Sequence, residues 1–464
     1  MNNKYNTLAK AVRFATLAAI ATPATVMAGG FSLNEQSAAT SGYANAGAAA
    51  HAEDASTVFF NPAGMSKLSG TNVSFGASVL DIDAEAKSGS QQTTDQTGQP
   101  VNGSRGGDIA DPAVLPSLFV THEVSDSIDV GFALHAPYGL AADYDDDFEG
   151  RYFADETELS VISFSPSISA SNGEGLSMGV GMNIMYAEGK LTKFVDNSYI
   201  RYVAGLAGGA APSGDGYADV QGDDVGVTFR VGFLYDLSNK TQLGLNLQTG
   251  TELELEGDAK FTNVGTSDTL STGEFNFKQD AKVPLDIPES ASFGISHRLS
   301  DDVTLLAGAT YARWSRFEEL DVVNRNDGTI ISHVTEKWQN TWQFNAGGIW
   351  QATPQWKLKA GYAYDESPVG DYVTARIPSQ DRHWLTLGTQ WKDKQDGWTV
   401  DASVGMLIFD GDAKVDENNY SHDNPSQVKT LGEGTALASE DQSNYQGEYD
   451  LSAWSAALQV SKAF

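Results

Sequence analysis

Cysteine is missing from all 464 residues, so neither disulfides nor thiolate metal centres contribute to this chain. Long apolar runs are missing as well. The one near the start, Phe14 to Ala21, falls well short of the roughly 20 residues a spanning helix needs, and no later run approaches that length. Basic side chains are scarce, 29 against 61 acidic. Three of them, Lys4, Lys10 and Arg13, precede the short apolar stretch, and Val26-Met27-Ala28 offers a small-residue cleavage site, so residues 1–28 read as a secretory signal peptide. Taking those three cations away leaves 26 basic against 61 acidic side chains, about −35 on the mature chain. Such a surface repels nucleic acid, which is not an expected partner.

What the chain does have is 47 glycines and 47 aromatics, spread evenly and with no linker-like break after residue 70. Alternation then sets the class. In "SMGVGMNIMY" (177–186), Met178, Val180, Met182, Ile184 and Tyr186 occupy one face, and Ser177, Gly179, Gly181 and Asn183 the other. The same register recurs at Val225 to Tyr235, at Leu243, Leu245 and Leu247, and at Trp356 to Tyr364 opposite Lys357 and Lys359. A soluble sandwich also alternates, but its second face is not expected to be this rich in Gly, Ser, Asn and Gln, the composition of a polar lumen.

Fourteen strands follow from this reading: 71–82, 115–122, 128–137, 159–170, 177–190, 225–236, 242–254, 290–299, 303–313, 341–350, 356–364, 383–392, 398–409 and 450–464. Their connections alternate long and short, as in an outer-membrane barrel with short periplasmic turns and long outside loops. The expected fold is all-β, a 14-stranded antiparallel transmembrane β-barrel over 71–464. Both chain ends of an even-stranded barrel lie on one side, and a bore this wide is not filled by its own side chains. Residues 29–70 are therefore expected to form a small amino-terminal hatch inside the lumen. The small residues between Ala38 and Ala50 would pack there as short helical turns. Phe59 and Phe60 would be buried against the wall, in a stretch, "EDASTVFFNPAGMSKLSG", too interrupted by small residues, proline and glycine for a helix.

Several stretches resemble the outer-membrane long-chain fatty acid transporters of the FadL type. They are "GGFSLNEQSA" and "ANAGAAAHAEDASTVFFNPAGMSKL" at the amino end, then "APYGLAADYDDDFEGRYFADETELSVISFSPSIS" (136–169), "VPLDIPESASFGISHRL" (283–299), "YARWSRFEEL" (311–320) and "LKAGYAYDESPVGDYVTARIPSQDRHWLTLG" (358–388), through to Phe464. The resemblance implies a channel in the bacterial outer membrane, monomeric among outer-membrane lipid and lipopolysaccharide. It would take up long-chain fatty acids or similar hydrophobic molecules passively, and monoaromatic or alkane hydrocarbons are the alternative cargo. It further implies a hatch motif at Asn61, Pro62 and Ala63 and a ligand pocket at Phe31 with Leu33, which Phe59 and Phe60 would join. An external apolar groove is expected at Ile200, Tyr202, Val203 and Leu206, and a lateral opening where proline and glycine interrupt the third strand at Pro137, Tyr138 and Gly139. A fatty acid headgroup wants a cation, and by parity Arg230, Arg298 and Lys359 point inward; pairing with hatch acids Glu35, Glu53 or Asp54 is the competing role.

An enzyme is not expected. Gly175-Leu176-Ser177-Met178-Gly179 matches G-x-S-x-G, but it enters a plain alternating strand and not the strand-turn-helix that exposes a nucleophile. The seven histidines are scattered, so neither metal nor cofactor is expected. A TonB-dependent receptor would need about 22 strands and a far longer plug. A general porin remains the structural rival, distinguished by lacking a packed hatch.

Overall fold

Each strand of this chain turns apolar side chains outward, and closure into a cylinder is what makes that stable. The computed structural model describes residues 29–207, 210–418 and 443–464. Its strands are β1 (Thr71–Ala86), β2 (Ala113–Ser125), β3 (Ile128–Asp143), β4 (Glu156–Ser171), β5 (Leu176–Val195) and β6 (Gly216–Asp236). They continue with β7 (Thr241–Gln248 and Thr251–Thr262), β8 (Phe277–Ile287 and Ser290–Arg298), β9 (Val303–Ala312), β10 (Thr341–Thr353), β11 (Trp356–Asp365) and β12 (Arg382–Lys392). β13 (Trp398–Phe409, carried on by Ala413–Asn418) and β14 (Asn444–Ala463) complete the wall. Each pairs antiparallel with its neighbour, and β14 pairs back onto β1 from Asn72↔Ala463 to Ala86↔Tyr449, so the fourteen-stranded sheet closes. The last residue seals the seam: Phe464 N donates to Thr71 O at 2.8 Å.

The outward face is greasy in a way no water-soluble surface is. Phe75, Phe229, Leu387, Val404 and Leu458 are all more than half exposed, and they belong to strands all round the cylinder. Aromatics bound this belt. Tyr311 and Trp342 pair at 5.1 Å at the long-loop end, and Trp350, Trp356 and Trp398 lie at the short-turn end. Trp342 and Trp350 are eight residues apart on one strand, about 26 Å along it and roughly 20 Å along the axis at a tilt of about 40°, close to an outer-membrane apolar band.

The strands run further into the long-loop end than alternation of apolar residues foretold. β7 and β8 pair up to Phe261↔Phe277, inside what the sequence marks as a connection. Above the belt the outward residues turn charged, Glu252, Glu254, Glu256 and Asp258, and cross-strand pairs such as Lys278–Asp258 at 2.7 Å take over from lipid contact. The ladder needs no apolar face to continue in water.

Residues 29–70 lie against the inner wall. Their helical turns are α1 (Ala38–Ser41) and α2 (Thr57–Phe60), followed by a 3-10 turn at Pro62–Lys67. The α2 turn corrects the reading of that stretch as non-helical. Asn61 ends α2 with extended backbone and starts the next turn, its side chain accepting from Ala63 N at 3.0 Å with Pro62 in the first turn. The wall yields to this segment at glycines on successive strands. A Cβ at Gly179, Gly232, Gly244, Gly294, Gly347, Gly361 or Gly388 would overlap its backbone or side chains. Phe59 and Phe60 are half-buried, not sealed as expected. Their rings meet edge to face at 4.8 Å, and Phe59 stands edge-on to His135 at 4.7 Å, beside a place where the wall parts.

Candidate functional site

The wall parts between β2 and β3. Their ladder stops at Leu118↔Leu134, although β2 runs on along β1 to Ala113 and β3 runs on along β4 to Asp143. Between His135 and Tyr138 the register against β4 also shifts. Proline 137 has no N–H to leave unsatisfied, and the carbonyls freed from β2 are taken over by the amino-terminal segment. Leu33 N donates to Pro137 O at 3.0 Å, Gly139 N to Phe31 O at 2.9 Å, and Gln36 Nε2 to Ala136 O at 2.7 Å. So β3 does not end at Pro137–Gly139. It folds away from β2 onto Phe31–Gln36.

Above that contact lies an apolar cavity between the wall and the long loops. Leu140, Leu159, Val220, Leu255, Val283 and Leu285 line it from the strands, Phe317, Leu320 and Ile377 from loops, and Phe31 from the amino-terminal segment. Phe31 is 1% exposed and sits in an aromatic box: ring centroids of Trp314, Trp338, Phe317 and Tyr138 lie 4.6, 5.7, 5.9 and 6.0 Å away. Of the four pocket residues expected from sequence, only Phe31 lines this cavity. Leu33 is buried instead with Leu80, Trp384 and Leu407 in the neighbouring apolar cluster, and Phe59 and Phe60 flank the parting of β2 and β3. The residues missed, Trp314, Phe317, Leu320 and Trp338, stand in a loop whose sequence has no period to reveal them. The density of aromatics in that loop was the available signal.

Beside the box, Glu336 is fully buried. Its Oε2 accepts from Trp338 Nε1 at 2.8 Å while Oε1 has no partner, and burial pushes the carboxyl up to about 8. The same loop gathers Glu319, Asp321 and His333 with ligand atoms within 4.8 Å of one another, which spacing along the chain did not suggest. Both His333 nitrogens already have neighbours, Asp321 Oδ1 at 2.5 Å and Thr335 Oγ1 at 3.0 Å.

The apolar residues of 200–206 do form a helix, α3 (Ser198–Ala207), but not one patch. At 100° per residue Ile200 and Val203 share one side and Tyr202 and Leu206 the opposite side. Accordingly the first two are half-buried, and Tyr202 and Leu206 are exposed.

The three inward cations meet three different surroundings. Lys359 is 3% exposed and bonds Glu53 Oε2 and Asp401 Oδ1, both at 2.8 Å, as well as Ala39 O at 3.0 Å. Lys357 adds a second bond to Glu53 at 2.7 Å. Burial alone would raise the Glu53 carboxyl, but Lys359 and Lys357 hold it well below the ordinary carboxylate range. Arg298 is exposed at the short-turn end, lining a polar cavity with His51, Glu174 and Asp236. Arg230 is buried and bonds only neutral acceptors: Asn183 Oδ1, the Phe59 carbonyl, and at 3.5 Å Val58 O and Ser165 Oγ. Glu35 and Asp54 pair with none of the three. Asp54 Oδ2 accepts from Gln459 at 2.6 Å, and burial raises Glu35. Asn61, of the motif expected from sequence, has its own partners, its Nδ2 donating to Ala49 O at 2.6 Å and to Phe233 O at 2.9 Å. Ser177, of the G-x-S-x-G match, is buried and accepts from Ser66 Oγ at 2.7 Å, and Gly179 makes room for Pro62 and Ala63.

A family model described as outer membrane protein transport protein (OMPP1/FadL/TodX) matches residues 17–464. The chain is 30% identical over 394 residues to a putative outer membrane protein of Neisseria meningitidis serogroup B, covering 79% of this chain and 84% of that one. It is 27% identical over 428 residues to the long-chain fatty acid transport protein of Escherichia coli O6:H1, covering 88% and 90%. The crystal structure of a Pseudomonas aeruginosa FadL homologue superposes with a TM-score of 0.81 at 22% identity, covering 93% and 99% of the two chains. The Pseudomonas putida toluene transporter TodX superposes at 0.65 and 17% identity, covering 94% and 99%. At these identities the structural likenesses speak for the fold.

Proposed function

Because the chain belongs to the FadL/TodX family of outer-membrane transport proteins, transporters of hydrophobic substrates and not enzymes, we propose that it takes up long-chain fatty acids or similar molecules by passive diffusion and releases them sideways into the membrane. The observation that carries this reading is the apolar cavity abutting Phe31, next to the place where β3 leaves β2 for the amino-terminal segment. A sixteen-carbon chain gains up to roughly 12 kcal/mol on leaving water, at about 0.8 kcal/mol per methylene, so a water-filled bore would offer it nothing. It needs a sheltered apolar path.

On this path the exposed Tyr202 and Leu206 of α3 collect cargo at the surface, the cavity holds it, and residues 29–70 act as the hatch. Withdrawal of Phe31–Gln36 from the Ala136 and Pro137 carbonyls and the Gly139 N–H frees the edge of β3, and the lumen then opens between β2 and β3. The hatch keeps small hydrophilic solutes out, which separates this channel from a general porin. A closed cylinder needs no second subunit, so the unit of function is a monomer set among outer-membrane lipid and lipopolysaccharide. Monoaromatic or alkane hydrocarbons are the second reading, favoured by the almost wholly apolar lining of the cavity. Uptake of radiolabelled oleate and toluene by a strain lacking the gene and by the complemented strain decides the matter. Complementation should restore oleate uptake, and restoration of neither overturns the reading.

A further inference from the structure

Arg230 is a buried cation without an acid. Among the described residues Lys359 is balanced by Glu53 and Asp401, and Arg382 by Asp365 at 2.8 Å, whereas no carboxylate lies within 4.0 Å of the Arg230 guanidinium, which is 3% exposed. Neutral acceptors meet its hydrogen bonds but not its charge, and an unbalanced charge in a low dielectric is costly. The arrangement of those acceptors is informative. Asn183 Oδ1 receives both Nε and Nη2, the edge of the fork that binds a carboxylate bidentately, so a neutral amide oxygen stands where a carboxylate oxygen would sit. The Phe59 ring covers the guanidinium at 5.1 Å.

Its place in the fold is equally specific. Tyr138 touches Phe31 at the cavity, its hydroxyl accepts from Gln248 Nε2 at 3.1 Å, and Gln248 Oε1 accepts from Asn183 Nδ2 at 3.2 Å. Ser165 Oγ lies 3.5 Å from Arg230 Nη2 and 3.3 Å from Nε2 of His135, the residue at which β3 leaves β2, whose Nδ1 is buried without a partner. A chain of polar contacts thus leads from the cavity past Arg230 to the parting of the wall.

We infer that Arg230 is a carboxylate-binding station on the exit path, occupied in passing by the headgroup of the cargo, and that the substrate class is therefore a long-chain acid and not a hydrocarbon. This rests on the uptake function proposed above. A carboxylate displaces Asn183 Oδ1 from the fork, gains two charge-assisted bonds, and yields the fork back to the amide as it leaves, which makes the station transient.

The test is uptake of radiolabelled palmitate and its methyl ester, read as the ratio of acid to ester, in wild type, Arg230→Gln, Arg230→Lys and Asn183→Asp, with heat-modified gel mobility to show folding. Arg230→Gln should lower the ratio roughly 10–100-fold, the worth of hydrogen bonds to a charged group, and Arg230→Lys should recover part of it. Asn183→Asp, which gives the guanidinium a permanent counter-ion, should lower the ratio with a stably folded barrel. A ratio unchanged within threefold in Arg230→Gln and Asn183→Asp overturns the station, as does wild-type uptake of ester but not acid. Wild type admitting neither overturns the transport reading itself, an outcome distinct from the other two.

Discussion

Replacing Lys359 with methionine shortens the side chain by one atom and removes the charge that joins the amino-terminal segment to the wall. The Nζ of Lys359 bonds Glu53 and Ala39 on the amino-terminal segment and Asp401 on β13, and lies 5.6 Å over the Tyr43 ring. In Lys359→Met, Glu53 keeps Lys357, but Asp401, whose side chain is 1% exposed, is left with Gln390 alone. Removing one partner of a buried pair costs about 3–5 kcal/mol. Lys359 and Asp401 both stand on the wall facing the amino-terminal segment, so withdrawal of that segment hydrates the stranded carboxylate, and the cost falls on seating the segment and not on the β10–β12 ladders. At about 1.36 kcal/mol per decade the open population should rise by two to three and a half orders of magnitude. Hydrogen–deuterium exchange in nanodiscs reads this directly. Peptides from 38–55 should exchange faster by that factor, while 341–365 stays protected. The double variant Lys359→Met/Asp401→Leu, which leaves no unpaired charge on the wall, should recover most of the protection. An increase under tenfold in 38–55, or an equal loss in the strands, refutes the reasoning.

Two further outcomes follow from the packing. Gly361→Val should unseat the hatch without unfolding the barrel, because any Cβ there overlaps the Tyr43 backbone; planar-bilayer conductance should rise well above the wild-type level, and an electrically unchanged variant would contradict the fit. Glu336 makes its loop pH-sensitive. Its ordinary value is 4.5 and its folded value about 8, so its contribution is complete below about pH 4.5 and is lost as pH rises through about 8, amounting to at most about 5 kcal/mol. Exchange in the 313–340 peptides, corrected for intrinsic rate, should accelerate between pH 5 and 9 in wild type and stay level in Glu336→Gln.

The fourteen strands were legible because lipid imposes a local rule on alternate residues, seen in Val225, Val227 and Phe229 on one face with Thr228 and Arg230 on the other. Where lipid ends the rule ends, which is why the charged continuation of β7 from Leu255 to Thr262 read as a loop. The helical spacing of Ile200 to Leu206 was legible, but the same geometry that makes the helix divides those residues between two faces. Phe31 stood out through family resemblance, while its neighbours Trp314 and Trp338 did not, since a loop folded over a cavity leaves no period behind. Pro137 marked the right point on β3. A missing N–H foretells an interruption; what replaces the lost partner depends on where another segment happens to lie.

The sequence by itself determined the fold class, the alternating sense of the lipid-facing strands, and that Arg230 and Lys359 aim at the lumen. Only the tertiary structure decided which of them is balanced. Lys359 meets Asp401 and Glu53 across 42 and 306 residues of chain, and Arg230 meets no acid at all among the described residues. Parity is a property of extended backbone, written into neighbouring residues. Charge balance is a property of distance in space, and it is set by closure of the sheet and the seating of the segment inside it.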